Sequence, residues 1–155
     1  MEGKPDLPMC ADELESEPRT LWISRHGNRV DFMDPTWRRS ASRPEDPPLS
    51  PDGVEQAREL GHRLAGEGIA HVFASPFLRA VQTASCVAEA VDAPIRIEHG
   101  VCEWLNREWF AGVPEYLSDE EMARLFPRVV CGYRSAVFPR YPETWDEMEA
   151  RTCRR

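Results

Sequence analysis

The chain has 155 residues, 41% of them hydrophobic and 30% charged, which suits one domain with a sizeable core. No apolar run is long enough to span a membrane, and the first 20 residues carry neither the basic nor the apolar region of a signal peptide. A net charge of −8 excludes a general nucleic-acid binder and would repel phosphorylated ligands, so a site for one must supply its own positive field.

Residues 1–18 are rich in Asp, Glu and Pro without an apolar period, and are expected to form a flexible acidic leader before a globular part over 19–155. Thr20-Leu21-Trp22-Ile23-Ser24 predicts a short buried strand with Trp22 in the core. Residues 31–48, broken by Pro35, Pro44, Pro47 and Pro48, are expected to be one long loop. Ser50-Pro51 then opens a helix as N-cap and first helical residue, with Val54, Ala57, Gly61 and Leu64 on one face and Gly66 and Gly68 ending it. His71-Val72-Phe73-Ala74 predicts a second strand. Ser75-Pro76 starts another helix by the same chemistry, with apolar positions from Phe77 to Val91 at the 3.6-residue period. Ile95 to Glu98 is a third strand, closed by Gly100. The alternation predicts an α/β domain with a mostly parallel sheet, whose chemistry gathers at the carboxyl ends of the strands. Ser118 with Glu121, and Thr144 with Glu147, are capping boxes for two later helices. The first of these is expected to end at Pro127; the second, with Trp145, Met148 and Thr152 on one side, has no C-cap signal before Arg155.

Three constellations follow three predicted strands. Arg25-His26-Gly27-Asn28-Arg29 sets an imidazole between two guanidinium forks, which suit phosphate oxygens and would leave a neutral ring nitrogen to attack phosphorus. A surface loop with a solvated histidine has the same pattern. Arg79 stands in the first turn of its helix against the helix dipole, a placement that makes sense if an anion binds there, although a surface arginine can tolerate it. Glu103 follows the third strand beside Trp104, whose apolar surface would desolvate the carboxyl and suit it to general acid work; a solvated glutamate is the plainer reading. Together the three strand ends offer a nucleophile, an anion clamp and a proton donor.

His62 is expected to be partly buried structure, and His71 and His99 surface residues. Trp37, Trp104 and Trp109 lie near the site loops, where they fit either a pocket for an apolar substrate group or the core. The five cysteines, Cys10, Cys86, Cys102, Cys131 and Cys153, form no Cys-x-x-Cys pair, so neither zinc nor a redox motif is expected and a reducing, cytoplasmic setting fits.

With these residues in view the chain resembles the histidine phosphatase superfamily, the phosphoglycerate mutase-like fold. The resemblance rests on Arg25-His26-Gly27, on Pro48 through Ala57, on Ser75 through Ala84 and on Glu103. Arg29-Val30-Asp31, Cys102-Glu103-Trp104 and Pro139 through Glu143 are most similar to the branch containing the UBASH3/Sts phosphatase domains. It implies a three-layer α/β/α sandwich and a phosphomonoester hydrolase. His26 would become phosphohistidine, Arg25, Arg29 and Arg79 would bind the phosphate, and Glu103 would protonate the leaving group. It implies no metal and no cofactor, and a phosphorylated small molecule or phosphotyrosine protein as substrate; charge and the lack of a long apolar run lead to the expectation of neither nucleic acid nor membrane as partner. The family carries a second histidine after the acid, and this sequence has none beyond His99, so the domain is expected to be incomplete at its C-terminus. The alternatives are therefore an impaired or inactive phosphatase-fold protein that binds phosphate or a partner, and a phosphotransferase of the phosphoglycerate mutase type.

Overall fold

The computed structural model describes residues 20–153, so the expected leader lies outside the described residues. The element order is α1 (Val30–Met33), α2 (Trp37–Ser40), α3 (Pro51–Leu64), β1 (Val72–Ala74), α4 (Leu78–Val91), β2 (Ile95–Ile97), a 3-10 turn (His99–Val101), α5 (Asp119–Leu125) and α6 (Trp145–Thr152). Strands β1 and β2 pair in parallel with Val72 opposite Ile95 and Ala74 opposite Ile97, and α4 is the crossover between them. Val129 adds a parallel bridge to Ile95, with the Ile95 N–H donating to the Arg128 carbonyl at 2.8 Å.

The core sits where this small sheet meets α4. Val72, Ala74, Ile95 and Ile97 point inward by strand alternation, and Val81, Val87 and Ala88 meet them from the helix. Burying each larger aliphatic side chain contributes about 1.5–3 kcal/mol. Helix α3 packs on α4 through Ala57, Gly61 and Leu64, the face expected from its spacing; Gly53 joins that buried face and Val54 is only half-buried. Ser50 caps α3 by accepting the Gly53 N–H at 3.3 Å, with Pro51 at the first position. The capping boxes of α5 and α6 both form.

Several expectations are corrected. Residues 20–24 form no strand: Leu21 is 81% exposed, Ile23 is 89% exposed and Trp22 lies against the Arg63 guanidinium, 5.4 Å from its ring. A strand needs a neighbouring edge, and among the described residues none pairs with this one. The stretch 31–48 is not one loop, because α1 and α2 supply single turns on either side of an Asp34 side chain that accepts from the Thr36 N–H and hydroxyl. Helix α4 begins at Leu78, so Ser75 is not its cap; the N-cap is Phe77, a fully buried side chain with nothing to offer the free N–H groups. Helix α6 turns Arg151 inward rather than an apolar stripe, and closes with the Cys153 N–H on the Glu149 carbonyl. His62 is exposed, whereas His99 is half-buried between the rings of Tyr116 and Phe138. Among the described residues no helix is long and apolar enough to cross a membrane.

Candidate active site

The loop bearing His26 is held by side chains from the starts of α3 and α4. From the N-terminal end of α3, the Gln56 side-chain oxygen accepts the Asn28 N–H at 2.9 Å and Asp52 accepts the Asn28 amide at 2.7 Å. The Ser50 N–H donates to the Asn28 carbonyl at 2.9 Å. From α4, Thr83 Oγ1 accepts the Gly27 N–H at 3.2 Å and Gln82 accepts the Leu49 N–H at 2.8 Å. Loop and helix come so close that a Cβ on Gly27 would lie 2.3 Å from the Gly53 carbonyl oxygen, and one on Gly53 2.1 Å from that of Asn28. Only glycines allow this crossing.

His26 is half-buried and its Nδ1 lies 2.7 Å from the Gly27 carbonyl. A carbonyl only accepts, so Nδ1 carries the proton and Nε2 keeps the free lone pair. Burial, more than any charge, lowers the imidazole below its ordinary value; the fields of Arg79, Arg25 and Arg29 lower it further, against the Gly27 hydrogen bond. The three guanidinium groups expected around His26 are thus near enough to act on it, although desolvation rather than charge comes first.

Their settings differ. Arg25 is exposed. Arg29 is locked in a bidentate pair with Asp31, Nε to Oδ1 at 2.9 Å and Nη2 to Oδ2 at 2.6 Å, and lies 4.4 Å from the Phe32 ring centre. Arg79 is buried in the first turn of α4, where Nη2 donates to Glu103 Oε2 at 2.5 Å. Its Nε and Nη1 are buried and have no hydrogen-bond partner among the described residues, so two donors are left unsatisfied. Glu103 therefore faces a guanidinium. Trp104 does not wrap it as expected, but stacks edge-on against Trp109 and Trp145 and donates its indole N–H to the Glu143 carbonyl at 2.9 Å.

Sequence reasoning missed Asp46. Its side chain is fully buried, its Oδ1 accepts the Leu78 N–H at 2.7 Å, and that oxygen is 3.9 Å from Arg79 Nη1. A residue 32 positions upstream thereby supplies the cap that Phe77 cannot. Burial pushes the Asp46 carboxyl up to about 6, against the pull of the Leu78 N–H, Arg79 and Arg43. The signal available in sequence was one of two adjacent acids, Glu45-Asp46, in a proline-rich stretch. An open cleft of about 180 Å³ adjoins Arg25, His26 and Gly27 and is also lined by Gln56, Leu60 and Thr83; neither Arg79 nor Glu103 lines it. Among the described residues no three His, Cys, Asp or Glu side chains gather as a metal site.

Comparison with known proteins gives the family. Residues 21–154 match the family described as the histidine phosphatase superfamily (branch 1). The chain is 33% identical to human ubiquitin-associated and SH3 domain-containing protein A over 86% of its own length and 26% of that protein. It is 31% identical to the Saccharomyces cerevisiae transcription factor tau 55 kDa subunit over 72% of its length and 26% of that protein. It is 30% identical to the Drosophila melanogaster ecdysteroid-phosphate phosphatase over 74% and 19%. The chain thus spans about a quarter of the length of such relatives. In structure it is similar to the silkworm ecdysone phosphate phosphatase in complex with tungstate, with a TM-score of 0.71 and 26% identity over 83% of this chain and 61% of that one. With the family match running almost end to end through the described residues and the α/β fold shared, the chain belongs to the histidine phosphatase superfamily, branch 1.

Proposed function

We propose that the chain is a phosphomonoester hydrolase that works through a phosphohistidine on His26. The observation that carries this reading is a half-buried imidazole with its pKa lowered and Nε2 free, in the field of Arg79, Arg25 and Arg29, one of which holds Glu103. In the proposed sequence Nε2 attacks phosphorus in line, the P–O ester bond breaks, and the leaving oxygen takes its proton from Glu103, which enters this step as the carboxylic acid and leaves it as the carboxylate. Water then attacks the phosphohistidine, gives its proton back to Glu103, and phosphate departs. Arg29 and Arg79, held by Asp31 and Glu103 before substrate arrives, neutralise the equatorial oxygens together with Arg25 as charge builds on them.

For substrate class, the relatives named for ecdysteroid phosphate suggest a phosphomonoester with an apolar body, and the Trp104, Trp109 and Trp145 ladder beside Glu103 offers apolar surface for one. A phosphotyrosine peptide is the competing class. The ratio of kcat/KM for a steroid phosphate to that for a phosphotyrosine peptide decides between them. The unpaired thiols of Cys86, Cys102, Cys131 and Cys153 suit a cytoplasmic setting, which cell fractionation tests.

One observation favours a second reading, an oxyanion-binding protein that turns over poorly: neither Arg79 nor Glu103 lines the cavity beside His26. Incubation with an aryl phosphate, followed by detection of acid-labile phosphohistidine, separates the two. Label and turnover in the native chain, both lost in His26→Ala, are expected. Label on His26 without release supports the second reading, and turnover retained by His26→Ala overturns the first.

A further inference from the structure

We propose that Arg151 and Glu143 are the positioning pair for the acid, fixing where the Glu103 carboxylate stands against Arg79. This rests on the phosphatase reading of the site. Arg151 is the buried residue of α6, and both its side chain and that of Glu143 are only 3% exposed. Its Nε and Nη2 fork onto the two Glu143 oxygens at 2.7 and 2.8 Å. Its Nη1 donates to the carbonyls of Gly100 at 2.7 Å and Cys102 at 3.1 Å, and Nη2 also reaches the Glu103 carbonyl at 3.4 Å. Glu143 works on the same segment from its backbone: its carbonyl accepts the Trp104 indole N–H, and its N–H donates to the Leu105 carbonyl at 2.9 Å. Main chain from 100 to 105 is thus gripped on both sides of Glu103 by two residues some 40 to 50 positions later.

A buried ion pair is a weak way to gain stability, since apolar residues of like volume often do as well. What it supplies here is direction. A guanidinium fork specifies angles as well as distances, and the three carbonyls it holds belong to Gly100, Cys102 and Glu103 itself. Arg151 meets Glu103 at the main-chain carbonyl, whereas Arg79 meets its carboxylate at 2.5 Å. Its role is therefore positioning, exerted on the acid through the main chain.

The test uses Arg151→Lys, which keeps the charge but loses the fork, and Glu143→Gln, with Glu103→Gln for reference. Single-turnover release is compared for 4-nitrophenyl phosphate, which expels a stable anion, and phenyl phosphate, which needs the proton more. Because a positioned acid contributes about 10²–10⁴-fold, phenol release is expected to fall by about tenfold or more while 4-nitrophenolate release changes by less than about threefold. Proportional losses on the two substrates overturn the proposal, and so does loss of the fold by circular dichroism in both variants. If the native chain releases neither product, the phosphatase reading fails and the pair is judged on the guanidinium ¹⁵N resonances of Arg79. Movement of these resonances in both variants, in the direction seen for Glu103→Gln, sustains the positioning role; resonances unmoved from the native ones end it.

Discussion

At the scale of single residues the site balances burial against charge. His26 is kept neutral mainly by desolvation, so the unfolded chain takes up a proton as pH falls through 6.5 that the folded chain resists, and this residue weakens the fold on the acid side. Asp46 acts with the opposite sign. Its carboxyl stands at about 6 folded against 3.8 unfolded, so between these values the folded chain holds more protons, and stability falls as pH rises through that window. Asp46→Asn keeps an oxygen for the Leu78 N–H and removes the titration. Melting temperatures measured from pH 4 to 8 should lose the decline between about 4 and 6, and the variant should gain at most about 3 kcal/mol over the native chain at neutral pH. An unchanged slope would mean that another group titrates there. His26, Arg25, Arg29, Arg79 and Glu103 stood out as candidates in the sequence because each sits in a short run after a predicted strand, although the first of those strands does not form. Asp46 and Arg151 were not, because their partners, Leu78 and residues 100–103, are distant in the chain and neither falls in a pattern that local spacing can reveal.

Between the elements, the decisive contact is the crossing of the 25–29 loop over the start of α3. Each glycine there has backbone, not a flexible side chain, where a methyl would go. Neither neighbour can move without dragging hydrogen bonds to Gln56, Thr83 or Asn28 with it. Gly27→Ala and Gly53→Ala are therefore expected to lose about 1–3 kcal/mol or more in urea denaturation, the range for forcing extra atoms into a packed site. Gly66, where an added methyl would meet nothing within 4 Å, is the control and should change little on substitution by Ala. The helices were legible because capping and periodicity are local: Ser50, Ser118 and Thr144 cap as their spacing indicates. The first strand was misread because an apolar run becomes a strand only when another edge accepts its hydrogen bonds, and that is a property of the sheet rather than of residues 20–24.

For the molecule as a whole, the consequence is apolar surface where the sheet does not reach. Leu21 and Ile23 are almost fully exposed, and Phe73 stands 52% exposed on the outward side of β1. Exposed apolar surface of this sort promotes association, which a net charge of −8 opposes. The balance can be measured by removing the surface without touching the core. In the double variant Leu21→Ser, Ile23→Ser little buried area is lost, so urea denaturation should give a stability within about 0.5 kcal/mol of the native chain. Binding of a hydrophobic dye and self-association in sedimentation should both fall. Ile95→Ala calibrates the experiment, because Ile95 is wholly buried between β1, α4 and the Val129 bridge and should lose about 2–5 kcal/mol. If the double variant loses as much as Ile95→Ala, residues 21–23 are buried in solution, and the edge that covers them must come from chain that pairs with this segment.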